Sequence, residues 1–208
     1  MNTRKGRIYI VEDDPSFLKS VKRLIRASGF KVAAFESADS FLSHSSVERP
    51  ACLLLDVQLP GIDGLAMQQK LIDEGRDIPI IFMTGHGNIP MSVKAMKKGA
   101  VDFLPKPFEA KDLRDAVLMA LERDKQNMQR ELQLKKAGSL IDTLTPREKE
   151  VKRWVITGKL NKQIADALGI TDKTVKVHRG RVMEKTGVTS VAELVRLAEK
   201  ANIPPALG

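Results

Sequence analysis

The first half of the chain alternates short apolar runs with amphipathic stretches. Ile8–Val11 predicts a buried strand that ends in Glu12-Asp13-Asp14. Apolar positions at Phe17, Val21, Leu24 and Ile25 recur at helical spacing and predict a helix over Ser16–Ala27. The pattern then repeats. Strands are expected at Val32–Phe35, Cys52–Leu55 (running into Asp56), Ile78–Met83 and Val101–Leu104. Helices are expected at Ala38–Ser43, Leu65–Ile72 and Met91–Lys98, with another starting near Glu109. Five strands alternating with five helices predict an α/β fold, a doubly wound parallel sheet covered on both faces.

The last of these helices is long. No Gly or Pro interrupts the chain from Glu109 to about Ala137. Glu122–Lys136 is mostly polar, with Met128, Leu132 and Leu134 as its large apolar residues. This predicts a helical linker over 123–139, broken at Gly138-Ser139, between a domain at 1–122 and another at 140–208. The second domain reads as all-α. Thr145-Pro146-Arg147-Glu148 has the form of a helix start, with Thr145 as cap and Glu148 closing a capping box. Val151, Trp154 and Val155 supply its apolar face. Asn161 is placed to cap the next helix, which Gly169 stops. Thr171 or Asp172 caps a third helix through Val175, Val182 and Met183, and Ser190 starts a fourth through Leu194 and Leu197. The join at Leu168-Gly169-Ile170-Thr171 has helix-turn-helix spacing.

Charge sharpens this division. The net charge is +9 over 208 residues. Met1–Asp124 carries 18 basic against 17 acidic residues, and Lys125–Gly208 carries 17 against 9. A basic excess confined to the last two-fifths suggests a polyanion partner there, nucleic acid first. No run of 18 apolar residues predicts a membrane span. The apolar run near the N-terminus is too short for a secretory signal. The single cysteine, Cys52, cannot form an internal disulfide and fits a reducing cytoplasm.

Candidate chemistry lies at the strand ends. In a doubly wound sheet the first and third strands are neighbours at the switch point, where ligands bind beyond the carboxyl ends. That brings Glu12 and Asp13 to Asp56. Clustered carboxylates repel unless a cation neutralises them, and oxygen-only donors favour a hard divalent ion such as Mg2+. Thr84 ends the fourth strand and Lys106 follows the fifth, adding a hydroxyl and an ammonium to the same rim. Such a set is suited to phosphoryl transfer. Lys106 precedes Pro107, which holds it out of helical geometry.

The segments IYIVEDDPSF, LLLDVQLPGIDG, IIFMTGHG and AVDFLPKPF resemble the receiver domain of bacterial two-component response regulators over about residues 5–122. The resemblance implies the family's flavodoxin-like fold, with Asp56 as phosphoacceptor. It implies metal binding by Asp13, Glu12, Asp56 and the Gln58 backbone carbonyl, with Mg2+ or Mn2+ as the ion. Thr84 and Lys106 match the phosphate contacts and Phe103 the aromatic switch residue. Asp14 falls just after the acidic pair and outside the metal site. Glu-Asp stands here where the family more often has Asp-Asp. His86, in a Gly-His-Gly loop, reads as a loop histidine without a catalytic role.

The segments LTPREKEV, NKQIADALGITDKTVKVHRGRVMEKTGV and LVRLA resemble the LuxR/FixJ/NarL-type DNA-binding domain over about residues 140–203. The receiver half, with MTGHGNIPMSV, points to the FixJ-like branch. The resemblance implies a four-helix unit whose third helix is the recognition helix. Lys176 and Val177 match base-reading positions. Thr174 and Arg179 are expected at phosphates, and Asn161 and Lys162 within reach of the backbone. Lys173 and Arg181 add to the basic side of the same helix, opposite the Val175–Val182 stripe. Gly180 departs from relatives that place a side chain there.

The combined expectation is a transcriptional response regulator. It takes a phosphoryl group from a sensor histidine kinase, forms a homodimer when phosphorylated, and binds double-stranded DNA, with RNA polymerase as a further implied partner and no membrane. It is expected to be no enzyme beyond its own phosphorylation and dephosphorylation. Two rival readings fit less of the chain. An aspartyl-phosphate phosphatase usually needs a second acid close to the nucleophile, where Val57 and Gln58 stand. An RNA-binding antiterminator lacks exposed aromatics for base stacking after Trp154.

Overall fold

The computed structural model describes residues 6–85 and 89–206. The chain divides into two compact units, 1–128 and 129–208. The first holds strands β1 (Arg7–Val11), β2 (Lys31–Phe35), β3 (Ala51–Asp56), β4 (Ile80–Thr84) and β5 (Asp102–Pro105). Between them lie helices α1 (Pro15–Ala27), α2 (Ala38–Leu42), α3 (Gly64–Asp73) and α4 (Ile89–Lys97), and α5 (Ala110–Asp142) follows. All strands are parallel, in the order β2-β1-β3-β4-β5. The doubly wound sheet inferred from the sequence is therefore present.

The strands read as continuous apolar runs because both faces of the sheet are covered. Alternate residues of β3 enter different cores. Cys52 and Leu54 join Ile8, Ile10, Ile81 and Met83 beneath α1 and α5. Leu53 and Leu55 join Tyr9, Val11, Ile80 and Phe82 beneath α2, α3 and α4. Every residue of β3 is buried. Burial pushes the Cys52 thiol well above its ordinary pKa, with the charge of Asp124 adding to the rise, so this thiol is a packing group.

Local caps set the helix starts. Asp14 accepts from the N–H groups of Ser16 and Phe17, which starts α1 and directs Asp14 away from metal binding. Asp63 caps α3 and Ser37 caps α2 in the same way. One expectation fails. Gly138 does not break the connector, because α5 runs unbroken to Asp142. Gly in a helix interior costs only about 1 kcal/mol relative to Ala, and flanking helix formers absorb that. The helical stop falls instead beside Thr143, Leu144 and the Thr145 cap.

The middle of α5 is pinned by a buried ion pair. Asp124 is fully buried. Its carboxylate accepts from Arg49 Nε at 3.0 Å, Arg49 Nη2 at 2.7 Å and the backbone N–H of Ala51 at 2.7 Å. Replacing Asp124 by Ala strands a guanidinium and a buried N–H. Removing one partner of a buried pair costs about 3–5 kcal/mol, and Arg49, still partly solvated, places this pair at the low end. Urea denaturation followed by circular dichroism should therefore show a loss of about 3 kcal/mol for Asp124→Ala. A loss below about 1 kcal/mol would mean that the pair does not hold α5.

The second unit contains α6 (Pro146–Val155), α7 (Asn161–Leu168), α8 (Asp172–Thr186) and α9 (Val191–Lys200). They enclose a core of Ile141, Leu144, Val151, Val155, Ile164, Val175, Val182 and Leu194. Thr145 and Glu148 form the expected capping box. Gly169 and Gly187 end α7 and α8 at φ of 63° and 68°, left-handed conformations that favour glycine.

Candidate functional site

Parallel pairing places Val11 beside Leu55, so β1 and β3 end side by side. The carboxylates that follow converge. Glu12, Asp13 and Asp56 each offer an oxygen within 4.8 Å of the others. Glu12 and Asp56 are buried, and Asp13 is exposed. Lys106 joins from the end of β5. Its Nζ lies 2.6 Å from Glu12 Oε2 and 3.0 Å from Asp56 Oδ2. Its backbone N–H donates to the Thr84 carbonyl at 2.6 Å, which ties it to the end of β4, and the Lys106–Pro107 peptide is cis.

The local electrostatics favour a bound proton or cation. Burial raises the pKa of Glu12, Lys106 opposes the rise through its hydrogen bond, and the nearby charge of Asp56 adds to it. The donor set consists of oxygens, which fits a hard divalent ion. Gln58, exposed, turns its N–H toward Asp56 Oδ1 at 3.3 Å. Thr84 is buried at the end of β4, one residue beyond the Asp56–Met83 pairing. Phe103 lies half-buried in β5 and contacts Phe82 at 6.1 Å between ring centroids. It thus lies in the strand that Lys106 follows, outside the acidic cluster. His86 lies outside the described residues. Gly64 is a further constraint that motif reading did not single out. A Cβ there would collide with the Asp56 carbonyl, so α3 starts hard against the backbone of the acidic pocket.

In the second unit, α8 presents one packed and one open side. Val175 and Val182 are fully buried. Lys173, Lys176 and Arg181 are exposed, and Val177 remains 46% exposed although apolar. Thr174 is half-buried, with its hydroxyl 2.8 Å from that of Thr171, which caps the helix. A Cβ at Gly180 would meet nothing, so packing does not require the glycine, which leaves a gap on the open side. His178 departs from the basic face. It is half-buried, and its Nδ1 is enclosed without a partner.

Asn161 does not cap α7. Leu160 occupies that position, and its N–H is taken by the Gln163 side chain at 2.9 Å. The Asn161 side chain turns instead to α8 and accepts from Arg179 Nη1 at 3.0 Å. Lys162 next to it is exposed. A second clamp holds the far end of α8. Lys185 donates to the buried Glu148 at 2.7 Å and reaches the Thr143 carbonyl at 3.4 Å. Charge and periodicity indicated the helix, but such long-range clamps carry no local signature.

The first unit is an α/β domain with an acidic pocket, and the second a helical domain with a basic helix. The family described as response regulator receiver domain matches residues 8–118, and that described as bacterial regulatory proteins, luxR family, matches residues 142–198. Nodulation protein W of Bradyrhizobium diazoefficiens is 46% identical over 96% of this chain and 88% of its own length. The transcriptional regulatory protein FixJ of the same organism is 37% identical over 97% and 98%. The solved structure of the response regulator StyR is 43% identical, with a TM-score of 0.79 over 94% of this chain and 99% of that one. The chain belongs to the response regulators that pair a receiver domain with a LuxR-type DNA-binding domain. The resemblance to FixJ-like regulators read from its motifs is thereby confirmed. Among the described residues, no helix is long and apolar enough to cross a membrane.

The Glu148–Lys185 contact has a pH consequence. The Lys185 hydrogen bond and the Thr145 N–H lower the pKa of Glu148. A carboxylate depressed by folding adds stability above its ordinary value of 4.5, and that contribution is lost as pH falls through the folded value. Glu193, lowered by the Thr189 donors, acts in the same direction. Trp154 is the chain's one tryptophan and reports on this unit. Acid titration of its fluorescence should show the unit loosening below the ordinary carboxylate range, with a shallower slope in Glu148→Gln. An identical acid limb in the variant would rule out Glu148 as a contributor.

Proposed function

We propose that Asp56 accepts a phosphoryl group from a sensor histidine kinase in an Mg2+-dependent reaction, and that the phosphorylated protein dimerises and binds promoter DNA to regulate transcription. The observation that carries this reading is the convergence of Glu12, Asp13 and Asp56 with Lys106 at adjacent strand ends. Glu12, Asp13, Asp56 and the Gln58 carbonyl would hold the ion. When bound, it supplies positive charge for the oxygens of the transferred group.

Asp56 is the nucleophile. A carboxylate oxygen attacks phosphorus, the new O–P bond forms, and the bond to the donor nitrogen or acyl oxygen breaks with its electron pair leaving on the donor. Lys106, which now bridges Glu12 and Asp56, turns an N–H to a phosphoryl oxygen, and the Thr84 hydroxyl donates to another. Water later cleaves the acyl phosphate and releases inorganic phosphate. In this reading the protein is no enzyme beyond these steps on itself.

The switch acts through packing. Phe103 is half-buried in the edge strand β5 and would repack as Thr84 shifts toward the phosphoryl group. On the neighbouring helices, the apolar side chains of Val93 and Met96 on α4 and of Leu118 and Met119 on α5 are exposed. Those groups support a pairing face that buries apolar area. Pairing two DNA-binding units makes the second half-site contact intramolecular. On DNA, Lys176 and Val177 would read base edges, with Lys173, Arg179, Arg181 and Lys162 at phosphates, Thr174 beside them and Asn161 holding Arg179. RNA polymerase is the partner that transcription regulation implies.

Incubation with acetyl phosphate and Mg2+ should add one phosphoryl group, and Asp56→Asn should abolish it. Equal labelling of the variant would sink the assignment. Lys176→Ala should weaken specific DNA binding by ~1–3 kcal/mol if the lysine contacts a base edge. Unchanged operator affinity and sequence preference in a titration at fixed salt would remove Lys176 from that role.

A further inference from the structure

Lys106 has a third neighbour besides the two acids. Its Nζ lies 4.3 Å from the centroid of the Phe17 ring. The ring is itself held. It meets Phe108 edge-on, with centroids 5.7 Å apart and planes at 81°. Both rings are half-buried against the core beneath α1 and α5. The Asp14 cap accepts from the Phe17 N–H and so fixes where α1 presents this side chain. The ammonium is therefore bounded by two carboxylates and one aromatic face.

These two kinds of neighbour act differently. A carboxylate occupies an ammonium proton, and in the resting pocket Glu12 and Asp56 both claim Lys106. An aromatic face attracts the ammonium through its quadrupole and occupies no donor. Lys has three donors and no acceptor, so a ring on one side leaves all three available for oxygens. During transfer the ammonium must release the Asp56 oxygen, which becomes part of an acyl phosphate, and turn to a phosphoryl oxygen. While it exchanges one oxygen partner for another, a lysine on a flexible four-carbon stem can leave for solvent, and Lys106 is 17% exposed. The ring supplies an attraction that persists throughout the step.

We infer that Phe17 is a positioning residue for phosphoryl transfer, keeping the Lys106 ammonium at the pocket through its ring face. This rests on Asp56 as acceptor and Lys106 as a phosphoryl contact. The competing role for Phe17 is core packing alone, since the ring also lies on the core beneath α1 and α5. Ring size and ring electrons must therefore be varied separately.

The full-length protein is prepared with Phe17 replaced by mono-, di- and trifluorinated phenylalanine, which reduces the ring quadrupole at nearly constant size. Phe17→Leu and Phe17→Trp are made alongside. In metal-free protein, the Lys106 ε-methylene protons should be shifted upfield by the ring current in the wild type and in Phe17→Trp, and not in Phe17→Leu. Labelling by acetyl phosphate with Mg2+ should slow stepwise with fluorination to about fivefold, the scale of one exposed cation–π contact. Phe17→Leu should slow at least as much, and Phe17→Trp should retain the wild-type rate. A flat fluorine series beside a slow Phe17→Leu would show packing only and overturn the inference, as would an unshifted Lys106 resonance in the wild type. Asp56→Asn is labelled in parallel. If it still accepts phosphate, the acceptor assignment fails and this inference falls with it. If it does not, a flat series counts against Phe17 alone.

Discussion

Three carboxylate oxygens within 4.8 Å of one another are the constraint around which the first unit is arranged. Two of the acids are buried, and a buried carboxylate without compensation is too costly to retain ionised. Lys106 meets that demand by bridging Glu12 and Asp56. Lys106 in turn stays there because its N–H is anchored on the Thr84 carbonyl and its ammonium rests on Phe17. The parallel sheet exists in a form that delivers these groups to one rim. β1 and β3 end together, β4 brings Thr84, and the turn after β5 brings Lys106. Gly64 belongs to the same demand, because any side chain would push α3 off the Asp56 backbone.

The second unit solves a different problem, presenting charge without burying it. α8 keeps Lys173, Lys176 and Arg181 in solvent, while Val175 and Val182 fix its phase against the core. Its middle and its C-terminal end are tied by polar contacts of different character. Arg179 is shared with Asn161 near the start of α7, and Lys185 is locked on buried Glu148. Lys152 lies buried on the same face of α6 as Glu148, and burial lowers its pKa, with Lys149 and Arg153 repelling in addition. Glu148 is thus committed to Lys185 on α8 rather than to the lysine one turn along its own helix.

Most of this was legible because apolar periodicity and strand ends carry strong local signals. The five strands, the three acids and Lys106 follow from runs that stop at charged residues. The Thr145–Glu148 box follows from its spacing. What was not legible depends on contacts between residues far apart in the chain. Asp124 reads as one more acid on a polar helix, yet it is fully buried against Arg49, 75 residues away. Asn161 reads as a cap, but the Gln163 side chain takes the Leu160 N–H, which frees Asn161 for Arg179. Gly138 reads as a break, but the penalty for one helical glycine is too small to interrupt α5. Phe17 reads as a core position of an amphipathic helix, and only the fold reveals the ammonium over its ring.

The strand that ends in Asp56 also begins against the middle of α5. Ala51, the first residue of β3, donates to Asp124, and Asp56 is its last. A signal could in principle pass along this strand, but the energies argue against it. β3 is buried throughout, and breaking the Asp124–Arg49 pair costs several kcal/mol. In the proposed reading a phosphoryl group at Asp56 would bring one to three new charge-assisted hydrogen bonds, each worth about 1.5–3 kcal/mol, and part of that would offset the loss of the Lys106 bridge. Such a sum is of the same order as the cost of unlocking the latch, so little would remain to drive a change by that route. It is well matched to re-seating a half-buried ring. Phe103 lies half-buried in the edge strand, packed on Phe82, and its repacking breaks no ion pair. The stable side of the sheet holds α5 in place while the edge yields. Phosphorylation in the proposed reading is therefore felt first at the α4–β5 surface, with the pinned middle of α5 as the fixed support against which that surface moves.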